Sequence, residues 1–147
     1  MIVGSTACSY DDHPCNGSFR VEDPRLSRAH VDAIVRAGAR WNGVVGSEHF
    51  KIGPRGTCAI FVDDVQSDLH AEYRWRNGEA WIWIHPELLE APIDRFESVM
   101  AHELGHSERL QHVHGPGVMA DMDAHTSGFT PLDLEECRQA GLCPSVP

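Results

Sequence analysis

The sequence predicts an α+β domain that combines several short strands with three helices. Apolar or alternating runs typical of strands lie before residue 85, and apolar residues with helical spacing lie at 27–42 and 93–106. A third helical segment follows residue 130. A chain of 147 residues is expected to form one domain, 1–147, because this length is enough to bury a core.

The first half of the chain supplies the first helix and two of the strands. Phe19 and Val21 alternate with polar residues and predict a first strand. Ser27 can cap a helix that runs to about Asn42, where the next residue, a glycine, is expected to end it. The apolar run 58–62 predicts a buried central strand.

A hairpin is predicted next in the chain. Residues 71–76 alternate, Asn77-Gly78 supplies a two-residue turn, and 80–84 returns as a strand. Its tryptophans, Trp81 and Trp83, are expected to lie partly in the core.

Two further helices follow the hairpin. Asp94 is predicted to cap the second helix, with Glu97 completing a capping box. Thr130, Pro131 and Asp133 are expected to begin the last helix through a capping box, and Gly141 is expected to end it. The second helix should bury one side, formed by Ile93, Phe96, Val99, Met100 and Leu104.

The five cysteines leave the redox compartment open. Cys8 and Cys15 are close enough in sequence to form a disulfide, and so are Cys137 and Cys143, whereas Cys58 is interpreted as a buried core thiol. Two bridges favour an extracellular or particle-associated protein. The alternative is five reduced cysteines in a cytosolic protein, because the N-terminal residues do not form a recognisable signal peptide.

Charge and hydropathy exclude two classes of partner. The formal net charge of −10 argues against nucleic acid and anionic membranes. No apolar run reaches the roughly eighteen residues of a membrane span.

The stretch 102–112 carries the most specific functional pattern. His102 and His106 are four residues apart, so on a helix they project from one face and can bind one metal ion. Glu103 then lies beside the metal, where a base acting on water belongs. His112 is the natural third ligand, but a continuous helix would carry it about 9 Å too far, so the helix must end between Ser107 and Gln111.

This H-E-x-x-H-x-x-x-x-x-H pattern, with Met119 seven residues after His112, resembles the metzincin metallopeptidases and, among these, the matrixins. The resemblance implies a zincin fold with a small twisted mixed sheet and an active-site helix. An irregular segment 1–17 would precede it, and a small C-terminal subdomain, 113–147, would carry the methionine turn and the last helix.

The resemblance also implies the site and its chemistry. One catalytic Zn²⁺ would be held by His102, His106 and His112, above a tight turn at Met119. Glu103 would act as general base and then as general acid. Arg109 occupies the position of the family's glycine, where the helix is expected to end through a left-handed residue at a cost of roughly 1–2 kcal/mol.

Substrate residues follow from the same resemblance. Strand 71–76 would be an edge strand along which an extended peptide binds, with Tyr73 and Trp75 as contacts. Met122 and Phe129 are the apolar candidates for a pocket wall beyond the scissile bond. Some metzincins have a tyrosine two residues after the methionine, where this chain has Asp121.

Three further features have two interpretations each. Asp63, Asp64 and Asp68 form either a solvated acidic loop or a Ca²⁺ site. His114 and His125 lie near the motif in sequence and are interpreted as surface residues rather than ligands. Cys15 is either half of a disulfide or a thiolate that blocks the metal and confers latency.

The sequence therefore predicts a monomeric zinc-dependent endopeptidase that acts on peptides or proteins. The alternative is a catalytically silent zinc-binding module of a larger assembly.

Overall fold

The computed structural model describes residues 14–64, 68–121, 126 and 128–145. It confirms a small α+β domain with three α-helices and a five-stranded mixed sheet. A 3-10 helix, Pro86–Glu90, leads into the second helix. In chain order the elements are β1 (Ser18–Val21), α1 (Arg28–Val45), β2 (Lys51–Ile52), β3 (Cys58–Val62), β4 (Ala71–Arg76), β5 (Glu79–Ile84), α2 (Ile93–Ser107) and α3 (Pro131–Gln139).

The sheet has the strand order β2-β1-β3-β5-β4. Neighbouring strands are parallel except for β4 and β5, which form the predicted antiparallel hairpin. Its turn residues Asn77 and Gly78 both have positive φ, 52° and 80°, as a two-residue hairpin turn requires. β3 is central and buries Cys58, Ile60 and Val62, as predicted, while β4 lies at the edge.

Helix α1 begins where the sequence predicts and ends later. The Ser27 side chain accepts a hydrogen bond from the His30 N–H and caps the helix. The predicted end at Asn42 is wrong, because the helix continues to Val45 and closes through left-handed Gly46. The Asn42 side chain instead pairs with the backbone N–H and carbonyl of Phe50, at 2.8 and 3.0 Å, which anchors the segment that follows the helix.

The predicted capping box of α2 is also wrong. Pro92 is the N-cap residue, and no side chain makes a capping hydrogen bond, so Asp94 only lies in the first turn. Glu97 points instead to α1, where its two oxygens accept hydrogen bonds from Arg36 at 2.7 Å and Arg40 at 3.3 Å. The carboxylate thus links the two helices rather than closing the helix end.

Helices α1 and α2 pack on each other, and α2 also lies against β4. Trp41 of α1 is fully buried and donates its indole N–H to the Ala101 carbonyl of α2 at 2.7 Å. Helix α3 begins at Thr130 with a capping box to Asp133, as predicted, and left-handed Gly141 follows its end.

The disulfide pairing corrects part of the sequence prediction. Cys137 is bonded to Cys143 as expected, but Cys15 is bonded to Cys58 rather than to Cys8. The parallel register of β1 and β3 explains this, because it brings the turn before β1 beside the start of β3. Cys58 is therefore buried but is not a thiol, and Cys15 has no thiolate to offer a metal; Cys8 lies outside the described residues.

Two disulfides are compatible with an extracellular location. No helix in the described part of the chain is long and apolar enough to cross a membrane.

Candidate metal centre

Helix α2 and the turn after it bring three histidines together. The Nε2 atoms of His102 and His106 lie 3.0 Å apart on one face of the helix. The helix ends at Ser107, and Arg109 takes the left-handed conformation with φ 69°, as its position predicted. The chain then reverses, so that Nε2 of His112 lies 3.2 Å from that of His102 and 3.1 Å from that of His106.

Each imidazole is oriented through its other ring nitrogen. Every Nδ1 atom faces an oxygen that can only accept a hydrogen bond from it, so the ring proton lies on Nδ1 and the lone pair on Nε2. These acceptors are the Val118 carbonyl for His102 (2.7 Å), the Leu110 carbonyl for His106 (2.8 Å) and the Asp121 carboxylate for His112 (2.8 Å).

The converging Nε2 lone pairs form a group that can hold a metal ion. Burial lowers the pKa of His106 and so favours the neutral imidazole that coordinates metals. Without a cation, three lone pairs facing one another at these distances would repel. Among the described residues, this is the only cluster of at least three histidine, cysteine or acidic side chains able to share one ion.

The turn around Met119 lies beneath the histidines. Met119 is fully buried, and a Cβ atom at Gly105 of α2 would come within 2.4 Å of its sulfur. Gly105 therefore lets the methionine pack directly on the helix that carries His102 and His106.

Asp133, at the start of α3, holds this turn in place. Its side chain is fully buried and accepts hydrogen bonds from three backbone N–H groups, those of Val118, Met119 and Thr130, each at 2.8 Å. Since the Val118 carbonyl orients His102, the aspartate and the histidine bind the same turn residue. The sequence identified Asp133 only as part of a helix cap, because its contacts with residues 118 and 119 depend on the fold.

Glu103 lies between the histidines and the edge strand. It is buried, and its Oε2 atom accepts a hydrogen bond of 2.8 Å from the backbone N–H of Tyr73 in β4. Burial raises the pKa of Glu103 to about 8, the Tyr73 hydrogen bond opposes this shift, and the negative charge of Glu72 adds to it. A cation held by the three histidines would favour the ionised carboxylate.

A cavity of about 650 Å³ lies between β4 and the histidines. Its wall combines apolar side chains with the polar groups of the triad and Glu103, a composition typical of ligand sites. The lining residues are Leu69–Tyr73, Val99, His102, Glu103, His106, Leu110–His112 and Asp121.

The structure brings together only part of the predicted substrate contacts. Tyr73 is half-buried and lines the cavity. Trp75 is exposed beyond the lining residues, and Phe129 packs against Trp41 with ring centroids 4.6 Å apart. Met122 lies outside the described residues.

The remaining candidates from the sequence are two histidines interpreted as surface residues and three aspartates. His114 is exposed, whereas His125 lies outside the described residues. Asp63, Asp64 and Asp68 are exposed, and they do not belong to a metal-binding cluster in the described part of the chain, so the Ca²⁺ interpretation gains no support.

The comparisons with known proteins do not identify a family. No protein-family model matches the chain, and no curated protein matches it significantly.

Proposed function

We propose that the chain is a metzincin-like, zinc-dependent endopeptidase. The observation that carries this proposal is the convergence of three oriented Nε2 atoms beside a buried glutamate and an open cavity. Tetrahedral zinc with nitrogens at 2.0–2.1 Å needs ligand atoms about 3.3–3.4 Å apart, close to the 3.0–3.2 Å separations of the triad. The geometry of the donor atoms therefore fits zinc.

The residues around the triad support hydrolysis. Zinc bound there would supply Lewis-acid polarisation of a peptide carbonyl and of a water molecule. The Oε2 atom of Glu103 accepts the hydrogen bond from the Tyr73 N–H. Oε1 is therefore the atom that takes the proton from the attacking water and then delivers it to the leaving amine.

The hydrogen-bonding pattern of β4 supports an extended peptide as substrate. The His85 N–H donates to the His70 carbonyl at 2.8 Å, so His70 faces β5. Backbone groups alternate in an antiparallel pair, and those of Ala71, Tyr73 and Trp75 therefore face the free edge. The Tyr73 N–H already donates to Glu103. The Tyr73 carbonyl and the backbone groups of Ala71 and Trp75 would therefore pair with a substrate strand along the cavity.

The test is cleavage of a peptide library by the zinc-loaded protein. We expect cleavage that a chelator abolishes and added zinc restores. Glu103→Gln should retain zinc and lose at least about 10²-fold in turnover, because the amide cannot accept the proton. The control Glu90→Gln changes an exposed glutamate outside the cavity lining and should behave as wild type.

A zinc-loaded protein that cleaves no library peptide would refute the proposal and favour the silent zinc-binding module. Near-normal cleavage by Glu103→Gln would refute the role of Glu103.

A further inference from the structure

His112 is held differently from the other two histidines. It lies on the turn after α2 rather than on the helix, and its side chain is the most exposed of the three. Whereas His102 and His106 donate to neutral backbone carbonyls, His112 donates to the charged carboxylate of Asp121 at 2.8 Å. Hydrogen bonds to charged acceptors are roughly twice as strong as neutral ones.

The backbone fixes the relative position of His112 and Asp121. Val113 follows His112, Ala120 precedes Asp121, and these two intervening residues form an isolated parallel bridge. The Val113 N–H also donates to the Met119 carbonyl at 3.0 Å. The carboxylate therefore stands beside the imidazole because the two segments are bonded to each other, and not through a chance surface contact.

We propose that Asp121 is a positioning residue that holds His112 in the coordinating orientation and tautomer, and so controls how tightly the site retains its metal. This inference rests on the proposed zinc site. A carboxylate behind a coordinating histidine also raises the basicity of the imidazole, and removing such a partner typically costs about 10–100-fold in metal affinity.

An ordinary surface ion pair would not produce this effect. The Asp121 side chain is 73% exposed, and an exposed pair contributes little to folding. Replacing Asp121 should therefore leave the stability of the metal-free protein nearly unchanged while it weakens zinc binding.

The experiment measures zinc affinity by competition with a chromophoric chelator. We expect Asp121→Ala to weaken binding by about 10–100-fold, and Asp121→Asn to weaken it less, because its amide oxygen still accepts a hydrogen bond from the Nδ1–H group of His112. Asp94→Ala, which changes an exposed aspartate outside the cavity lining, is the matched control and should bind zinc as the wild type does. Thermal melting of each metal-free variant reports on the fold separately.

A double-mutant cycle with His112→Ala tests whether Asp121 affects zinc affinity through His112. In that background Asp121→Ala should change the zinc affinity by less than about twofold, because the imidazole that it positions is gone. An Asp121→Ala variant with wild-type affinity would overturn this inference alone, and so would an equal loss in both backgrounds. A wild-type protein that binds no zinc would overturn the proposed site and this inference with it.

Discussion

Replacing Asp133 with alanine is expected to destabilise both the turn around Met119 and the fold. The carboxylate is fully buried and satisfies the N–H groups of Val118, Met119 and Thr130. The hydrogen bonds from Val118 and Met119 are buried, and that from Thr130 is partly exposed. Each buried donor left without a partner costs about 1–3 kcal/mol, so the two buried donors together should cost about 2–6 kcal/mol. That is a large part of the roughly 5–15 kcal/mol that holds a typical domain folded.

Asparagine at position 133 should not restore the lost stability. Val118 donates to Oδ2 and Met119 to Oδ1, so either orientation of an amide would direct its NH₂ group at one of these donors. We expect Asp133→Asn to cost about 2–4 kcal/mol, from one lost hydrogen bond and one donor facing another.

Urea unfolding of the metal-free protein measures these losses. Asp94→Ala is the control, because Asp94 lies in the first turn of α2 but makes no capping hydrogen bond, and its replacement should cost less than about 1 kcal/mol. If Asp133→Ala were as stable as the control, the turn would be held by its apolar packing and the hydrogen-bond argument would be wrong.

Three further predictions concern strain, cross-linking and charge. Arg109→Gly should keep zinc binding and stabilise the fold by up to about 1 kcal/mol, because it relieves the left-handed arginine; a lower melting temperature would show that the arginine side chain contributes more than its backbone costs. The double replacement Cys15→Ser with Cys58→Ser should cost about 2–4 kcal/mol, because it opens a loop with a sequence separation of 43, and it should not raise the proposed peptidase activity; denaturant unfolding beside a cleavage assay tests both parts. Hydrogen bonding to Arg25 lowers the pKa of Asp23 to about 2. Asp23 therefore contributes fully to the stability of the fold above its unfolded pKa of about 4, and this contribution is lost as the pH falls through about 2. Asp23→Asn should therefore lower the free energy of unfolding by about 1 kcal/mol at neutral pH, a value reduced because the Arg25 side chain is 56% exposed and solvent screens the pair. The loss should be smaller near pH 2, and equal losses at both pH values would contradict the argument.

The sequence predicted the parts of the site that depend on local spacing. His102 and His106 follow from the helical repeat, and the helix end before His112 follows from the distance that an unbroken helix would span. The β4–β5 hairpin follows from the alternation of its strands and from the Asn77-Gly78 turn. Each of these is decided within about a dozen residues.

The features that sequence could not supply depend on contacts between distant segments. Cys15 bonds to Cys58 because two parallel strands fix their register, and no local spacing reports that register. Asp133 occupies a recognisable cap position, but its bonds to the methionine turn exist only once α3 packs beneath that turn. Glu97 was assigned to a local cap, whereas two arginines of α1 provide stronger, charged partners across the helix interface.

X-ray absorption at the zinc edge of the purified wild-type protein tests the three-histidine site most directly. We expect one zinc ion per chain, coordinated at about 2.0–2.1 Å by three imidazole nitrogens, those of His102, His106 and His112, and by one oxygen. The same spectrum from His106→Ala should lose one nitrogen or show no bound zinc. A sulfur neighbour at about 2.3 Å would place the metal on a cysteine, and that result, or a wild-type protein that binds no zinc, would contradict the three-histidine site.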